Sequence, residues 1–249
     1  MKLPKLLLAL PLLMLLSCQK EVVNSFPKGG LSLRFNNLMD GDSLEFDIPY
    51  VNRSGEDFTV SRFKYYISNI ALVDTAGALH KIPDTYFLVD HNKSSSLSLD
   101  MQATEGRYRA VQFMVGVDSI RNVSGAQTGA LDPTLDMFWT WSTGYIMAKL
   151  EGRSSLSAAP DNRIEYHIGG FKGPNSALRT VTLPFGQNHP VEKGKTLVIR
   201  IGAELLDWFD GVNDLTIAGQ PVIMGPGLAA SQFADNYASM FFIQSLQSQ

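Results

Sequence analysis

Trp139 and Trp141 stand in Leu131–Gly152 (LDPTLDMFWTWSTGYIMAKLEG) with Met137, Phe138, Tyr145 and Met147, and they are two of the three tryptophans in 249 residues. If the segment is extended, both indoles point to one face, because side chains alternate along a strand. Aromatic clusters of this kind usually plug the core of a β-protein. The other chemistry open to an indole is oxidation, as a redox or metal-site component. His167 is the second residue of interest, in Glu165-Tyr166-His167-Ile168-Gly169-Gly170. At the end of a strand, just before Gly-Gly, its imidazole can project into an end-of-sandwich pocket and serve as a metal ligand, although a lone histidine is more often a hydrogen-bonded structural residue. His80, His91 and His189 form no HxH or HExxH pattern with it, so spacing alone declares no metal site. His91 and His189 fall in polar turns and are expected to face solvent. His80 falls in a hairpin region.

Cys18 is the only cysteine. Lys2 and Lys5 precede an apolar run, Leu6–Leu16, too short for a comfortable membrane span, and the run ends Leu15-Leu16-Ser17-Cys18. This ending resembles the bacterial lipoprotein signal, with cleavage before Cys18 and lipid on its thiol and new amino group. Residues 1–18 are then the signal with its lipidation cysteine, 19–30 a flexible tether, and 31–249 the folded domain. Gln19 in place of aspartate favours the outer membrane by the sorting rules of such lipoproteins, on its periplasmic or cell-surface side. With Cys18 committed to lipid, the mature fold has no internal disulfide, no cysteine-based zinc or iron–sulfur site and no cysteine nucleophile.

The elements that must position these residues read as strands. Leu31–Phe35 alternates apolar and polar, Thr59–Val73 is rich in β-branched and aromatic residues, and Arg107–Val117 alternates clearly. Tyr86–Val89, Leu97–Met101, Tyr145–Leu150, Arg163–Ile168, Arg179–Leu183 and Thr196–Ile201 read as further strands between Gly, Pro and Asn turns. Asp118 to Asp132 is a long Gly/Ser/Asn-rich loop leading into the tryptophan segment, and loops of that length tend to be functional or mobile. Helical spacing appears at Leu228–Met240, with Leu228, Phe233, Tyr237, Met240 and Phe241 on one side, and a helical turn is expected near Glu204–Phe209. The fold expected is all-β: a single-domain antiparallel β-sandwich with one or two short helices.

A net charge of −3 gives no basic field for nucleic acid. There is no GxSxG elbow and no P-loop, and nothing marks a triad, so no enzyme activity is expected. Asp207, Asp210, Asn213 and Asp214 do not match the ligand spacing of a calcium loop and read as turn and cap residues.

Several segments together resemble one family. Phe63-Lys64-Tyr65-Tyr66-Ile67-Ser68-Asn69-Ile70 resembles the YYISNI strand of the MbnP-like copper-binding proteins of bacteria. It is followed in order by Val115–Ser119, Gly129–Pro133, Met137-Phe138-Trp139-Thr140-Trp141 with Gly144-Tyr145, Lys149-Leu150-Glu151-Gly152, Tyr166–Gly170 and Asn236–Phe241. The resemblance runs from about Leu31 onward and is most specific in the LDP…MFWTWxxGY block. It implies extracytoplasmic binding of copper as Cu(I), for acquisition or storage. The ligands it implies are histidine and a tryptophan oxidised to kynurenine, the oxidation being made by a partner dihaem cytochrome c peroxidase-like protein. By position, Trp139 or Trp141 is the tryptophan implied and His167 the ligand. The alternative, from a different class, is a cell-surface module binding carbohydrate or protein through an aromatic face, which a rack of solvent-exposed aromatics would favour.

Overall fold

The computed structural model describes residues 27–125, 127–139 and 143–249. Cys18 and Trp141 lie outside the described residues. In chain order the strands are β1 (Lys28–Met39), β2 (Asp42–Ser43), β3 (Tyr50–Val51), β4 (Asp57–Asp74), β5 (Leu79–Lys81), β6 (Tyr86–Asp90), β7 (Ser98–Thr104), β8 (Gly106–Val115), β9 (Ile146–Arg153), β10 (Arg163–Gly169), β11 (Arg179–Val191), β12 (Thr196–Glu204), β13 (Val222–Ile223) and β14 (Phe241–Ser248). A short helical turn, α1 (Ser119–Asn122), and one helix, α2 (Leu228–Tyr237), join them. Two sheets pack as a β-sandwich, one of β14, β12, β1, β2 and β7, the other built around β4. Tyr65 of β4 meets Phe35 of β1 and Phe241 of β14 edge-on across the interface. Most pairings are antiparallel, but β1 runs parallel to β12 and β10 parallel to β13. β1 begins at Lys28, so Lys28–Gly30, expected in the tether, belong to the sheet.

β4 organises the larger sheet. Tyr65 pairs with both Val89 and Ala148, and Ile67 pairs with both Phe87 and Val115. A strand residue has only two edges, so β6 holds one edge of β4 while β8 and β9 lie end to end along the other. The chain between β8 and β9, Gly116 to Tyr145, therefore leaves the sheet and rejoins it on the same line. It carries α1 and two 3₁₀ turns, Gly129–Leu131 and Pro133–Leu135. Its described residues reach the outer face of the sheet, where Tyr145 meets Tyr66 edge-on and Lys64 reaches the carbonyl of Leu135.

Residues 140–142, Trp141 among them, lie outside the described residues, so the extended reading of the pair is not decided by the structure. Of the described residues beside them, Phe138 and Tyr145 form an isolated bridge, and Trp139 N–H donates to Gly144 O. The core tryptophan is Trp208, in the 3₁₀ turn Leu205–Trp208, fully buried against Phe63, Phe233 and Tyr237. α2 ends at Tyr237, three residues short of Met240, because the Met240 carbonyl is taken by Glu204 N–H where β14 begins. Leu228, expected on its buried side, is 65% exposed.

His91 does not face solvent. It is half-buried between the two sheets, with Nε2 3.0 Å from Leu44 O and Nδ1 3.2 Å from Asn37 Nδ2. Asn37 in turn accepts from Tyr65 O–H. The Leu44 carbonyl can only accept, so Nε2 carries the proton and Nδ1 accepts from the Asn37 amide. Burial pushes the imidazole below its ordinary value, so folding favours the neutral form. The stabilisation is complete above the unfolded value of about 6.5 and is lost as pH falls from there towards the depressed native value. Urea midpoints of the wild type should therefore drop between neutral and mildly acid pH, and His91→Gln should flatten that drop. Equal slopes in both proteins would remove His91 as its source.

Candidate metal centre on the outer face of the larger sheet

Alternation decides which side chains reach this face. Phe63, Tyr65, Leu150 and Tyr166 point into the sandwich, so Lys64, Lys149 and His167, which pair across β4, β9 and β10 in one row, point outward. Arg62 and Glu151 form the next row. His167 therefore lies on the sheet's outer face rather than in an end-of-sandwich pocket. It is only 7% exposed.

His167 Nε2 lies 2.7 Å from Glu151 Oε1. The hydrogen bond with His167 holds the Glu151 carboxyl below the usual range against the opposing effect of burial, with the charges of Arg62 and Lys149 adding to it. The carboxylate is thus an acceptor, and Nε2–H is the donor. In the neutral imidazole the lone pair is then on Nδ1, an atom that is buried and without a hydrogen-bond partner among the described residues. Buried polar atoms are rarely left so.

Trp139 comes to the same strand. A Cβ at Gly169 would stand 2.5 Å from the far edge of its six-membered ring, so only glycine lets the indole lie this close to β10. Gly169 is two residues beyond His167, and a bulge separates it from Ile168. Trp139 is half-buried. The structure thus brings Trp139 to the strand of His167, while Trp141 falls outside the described residues.

The remaining histidines are engaged elsewhere: His80 with Asp74 at 2.8 Å, His91 between the sheets, and His189 edge-on to Phe185. Among the described residues no group of three or more His, Cys, Asp or Glu could hold a metal ion. Asp207 and Asp210 pair with Arg53, and the Asn213 side chain bonds to the α2 backbone, in keeping with turn and cap roles. Exposed aromatics form no rack, Phe242 being the one exposed aromatic among the described residues.

Residue-by-residue reading missed Lys149, Glu151, Arg62 and Asp136 as parts of this site. The signal was present in Ile146–Gly152 (IMAKLEG), where two charges two residues apart must share one face of an otherwise apolar strand.

The MbnP family model matches residues 28–225. The chain belongs to the MbnP family. In three dimensions it is similar to MbnP from Methylosinus trichosporium, with a TM-score of 0.58 and 15% identity, covering 89% of this chain and 99% of that one. At that identity the likeness speaks for the fold. No curated protein matches the chain significantly in sequence. Membership of the MbnP family gives the chain a copper-related function at the level of the family.

Proposed function

We propose that this MbnP-family protein binds copper(I) at His167 and an oxidised tryptophan of the Trp139–Trp141 pair, for copper acquisition or storage and without turnover of its own. The observation that carries the reading is the bare Nδ1 of His167, buried and opposite an Nε2–H fixed by Glu151. Metal-binding histidines are held in this way, the second ring nitrogen donating to a carboxylate that fixes the tautomer and raises ligand basicity. The donor chemistry fits copper(I), which accepts low-coordinate nitrogen sites. His167 would supply an imidazole nitrogen and a kynurenine its aniline nitrogen, and bound copper would supply a soft, redox-active ion.

Making kynurenine from tryptophan requires a four-electron oxidation. The C2–C3 bond of the indole is cleaved and two oxygen atoms enter, from two peroxides reduced to water at the partner dihaem peroxidase-type cytochrome. Hydrolysis then releases the former C2 as formate and frees the aniline. Trp139 is half-buried rather than enclosed in the core, and this supports the reading. The protein is proposed to act as an outer-membrane lipoprotein anchored through Cys18.

Mass spectrometry of protein from its native host tests the reading. A tryptic peptide holding Trp139 and Trp141 should gain about 4 Da, and the mature amino terminus should be a lipidated Cys18. The protein should bind copper(I) at one equivalent in competition with a chromophoric chelator. An unmodified peptide from cells expressing the cytochrome would sink the kynurenine assignment. Failure to bind copper(I) in the modified form would sink the function.

A further inference from the structure

We infer that the outer face of the smaller sheet is a membrane-docking surface, on which Arg34 and Arg200 hold lipid phosphate groups and turn the His167 face of the domain away from the bilayer. The inference rests on the Cys18 anchor proposed above and is independent of copper.

Leu31, Leu33 and Phe35 of β1 and Leu197, Ile199 and Ile201 of β12 lie in the core, so alternation sends Arg34 and Arg200 to the opposite side. β1 and β12 run parallel with Arg34 directly beside Arg200, and the row continues to Ser98 of β7 and Ser245 of β14. Two guanidinium groups thus stand side by side, and neither has an ion pair or hydrogen bond among the described residues. Asp100 sits one row away, opposite Ser32, and pairs with neither arginine. Glu204, at the far end of β12, is spent on the backbone N–H groups of Asp40 and Gly41. Lys28 shares the outward side of β1 and adds a third cation where the chain enters the sheet.

Like charges side by side on neighbouring strands destabilise a sheet. An arginine pair left without a carboxylate, in a chain of net charge −3, is therefore better explained by an anion that comes from outside. The guanidinium fork matches phosphate oxygens bidentately. The source of the phosphate follows from the chain itself. Residues 19–26 join Cys18 to the start of the sheet that carries Arg34, and a segment of that length spans at most about 30 Å, so the domain stays close to the headgroups. Anchoring also removes the need for a tight site. One arginine near an anionic surface is worth only about fivefold in binding, and a short tether supplies the effective concentration that makes such weak contacts count. The face is open, with Ser98, Asp100, Gln102, Arg200 and Gln247 exposed on it. Phe242, 43% exposed, lays its ring over Gly202 next to Arg200, an apolar group suited to headgroup level. The two sheets turn their outer faces in opposite directions, so docking through the smaller one presents His167 and Trp139 to the aqueous side.

The test uses the full lipoprotein, purified from its host and reconstituted in vesicles of phosphatidylethanolamine with phosphatidylglycerol. Cys18 is the only cysteine and its thiol is blocked by lipid, so Gln102→Cys or Thr180→Cys gives one thiol for a spin label. The first lies on the docking face and the second is exposed on the outer face of the larger sheet. With a nickel-chelating lipid in the bilayer, the label at position 102 should relax strongly and the label at position 180 should not. Arg34→Gln combined with Arg200→Gln should lower the ratio of docked to undocked protein about thirtyfold, roughly fivefold for each arginine. Added salt should lower it in the wild type by screening. If the double variant does not fold, Arg200→Gln alone decides, with a loss of about fivefold, because Arg200 is exposed. Equal relaxation at the two positions would overturn the inference, as would docking that survives the loss of the arginines. Protein that does not float with the vesicles would remove the Cys18 anchor and this inference with it. Anchored protein with no preferred face would remove the inference alone.

Discussion

Replacing His167 by alanine is expected to lower copper(I) affinity by about 100-fold or more, beyond the 10–100-fold typical of losing a group that supports a metal ligand. The change removes the one bare imidazole nitrogen on the outer face and leaves Glu151 paired with Arg62 and Lys149, so the fold should persist. Glu151→Gln should cost less, roughly 10–100-fold, because the amide can still accept from Nε2–H but no longer polarises the ring as a carboxylate does. The order of the two losses matters more than their size. Chelator competition at fixed pH gives both affinities, and near-ultraviolet circular dichroism reports whether the aromatic packing survives. Wild-type affinity in a folded His167→Ala protein would remove this residue from the site.

Trp208→Ala should destabilise the domain by about 3–5 kcal/mol, the usual cost of emptying a large buried aromatic position. Trp208 is fully buried, packs on Phe63 of β4 and on Phe233 and Tyr237 of α2, and directs its indole N–H to Met240 Sδ at 3.2 Å. Its loss opens a cavity where α2, the 3₁₀ turn and β4 meet, and nearby rings are too tightly held to collapse into it. Trp139 is half-buried on the outer face, so Trp139→Ala should cost less stability and change the metal site more. Urea denaturation of the two variants gives the comparison. A loss for Trp208→Ala within the range of ordinary surface changes, about 0.5 kcal/mol, would show that the core does not depend on this ring.

The sequence alone determined the class of fold and the elements that build it. Alternation in Leu31–Phe35 and Arg107–Val117 becomes β1 and β8, and helical spacing after Leu228 becomes α2, because periods of two and of 3.6 residues are local properties of a chain that must hide one face. The block of residues pointing to the MbnP family was legible for a similar reason, being motifs in fixed order. Alternation shows that a strand has two faces, but not what covers either. Only the tertiary structure decided that the described part of the β8–β9 connection folds over the outer face, that Trp139 rests on Gly169, and that Trp208 rather than Trp139 is fully buried in the core. Only it placed Glu151 against His167, 16 residues apart, and Arg62 against Asp136, 74 apart. Such pairs arise from strand register and sheet order, which follow from burying the whole core at once and leave no mark at any single position.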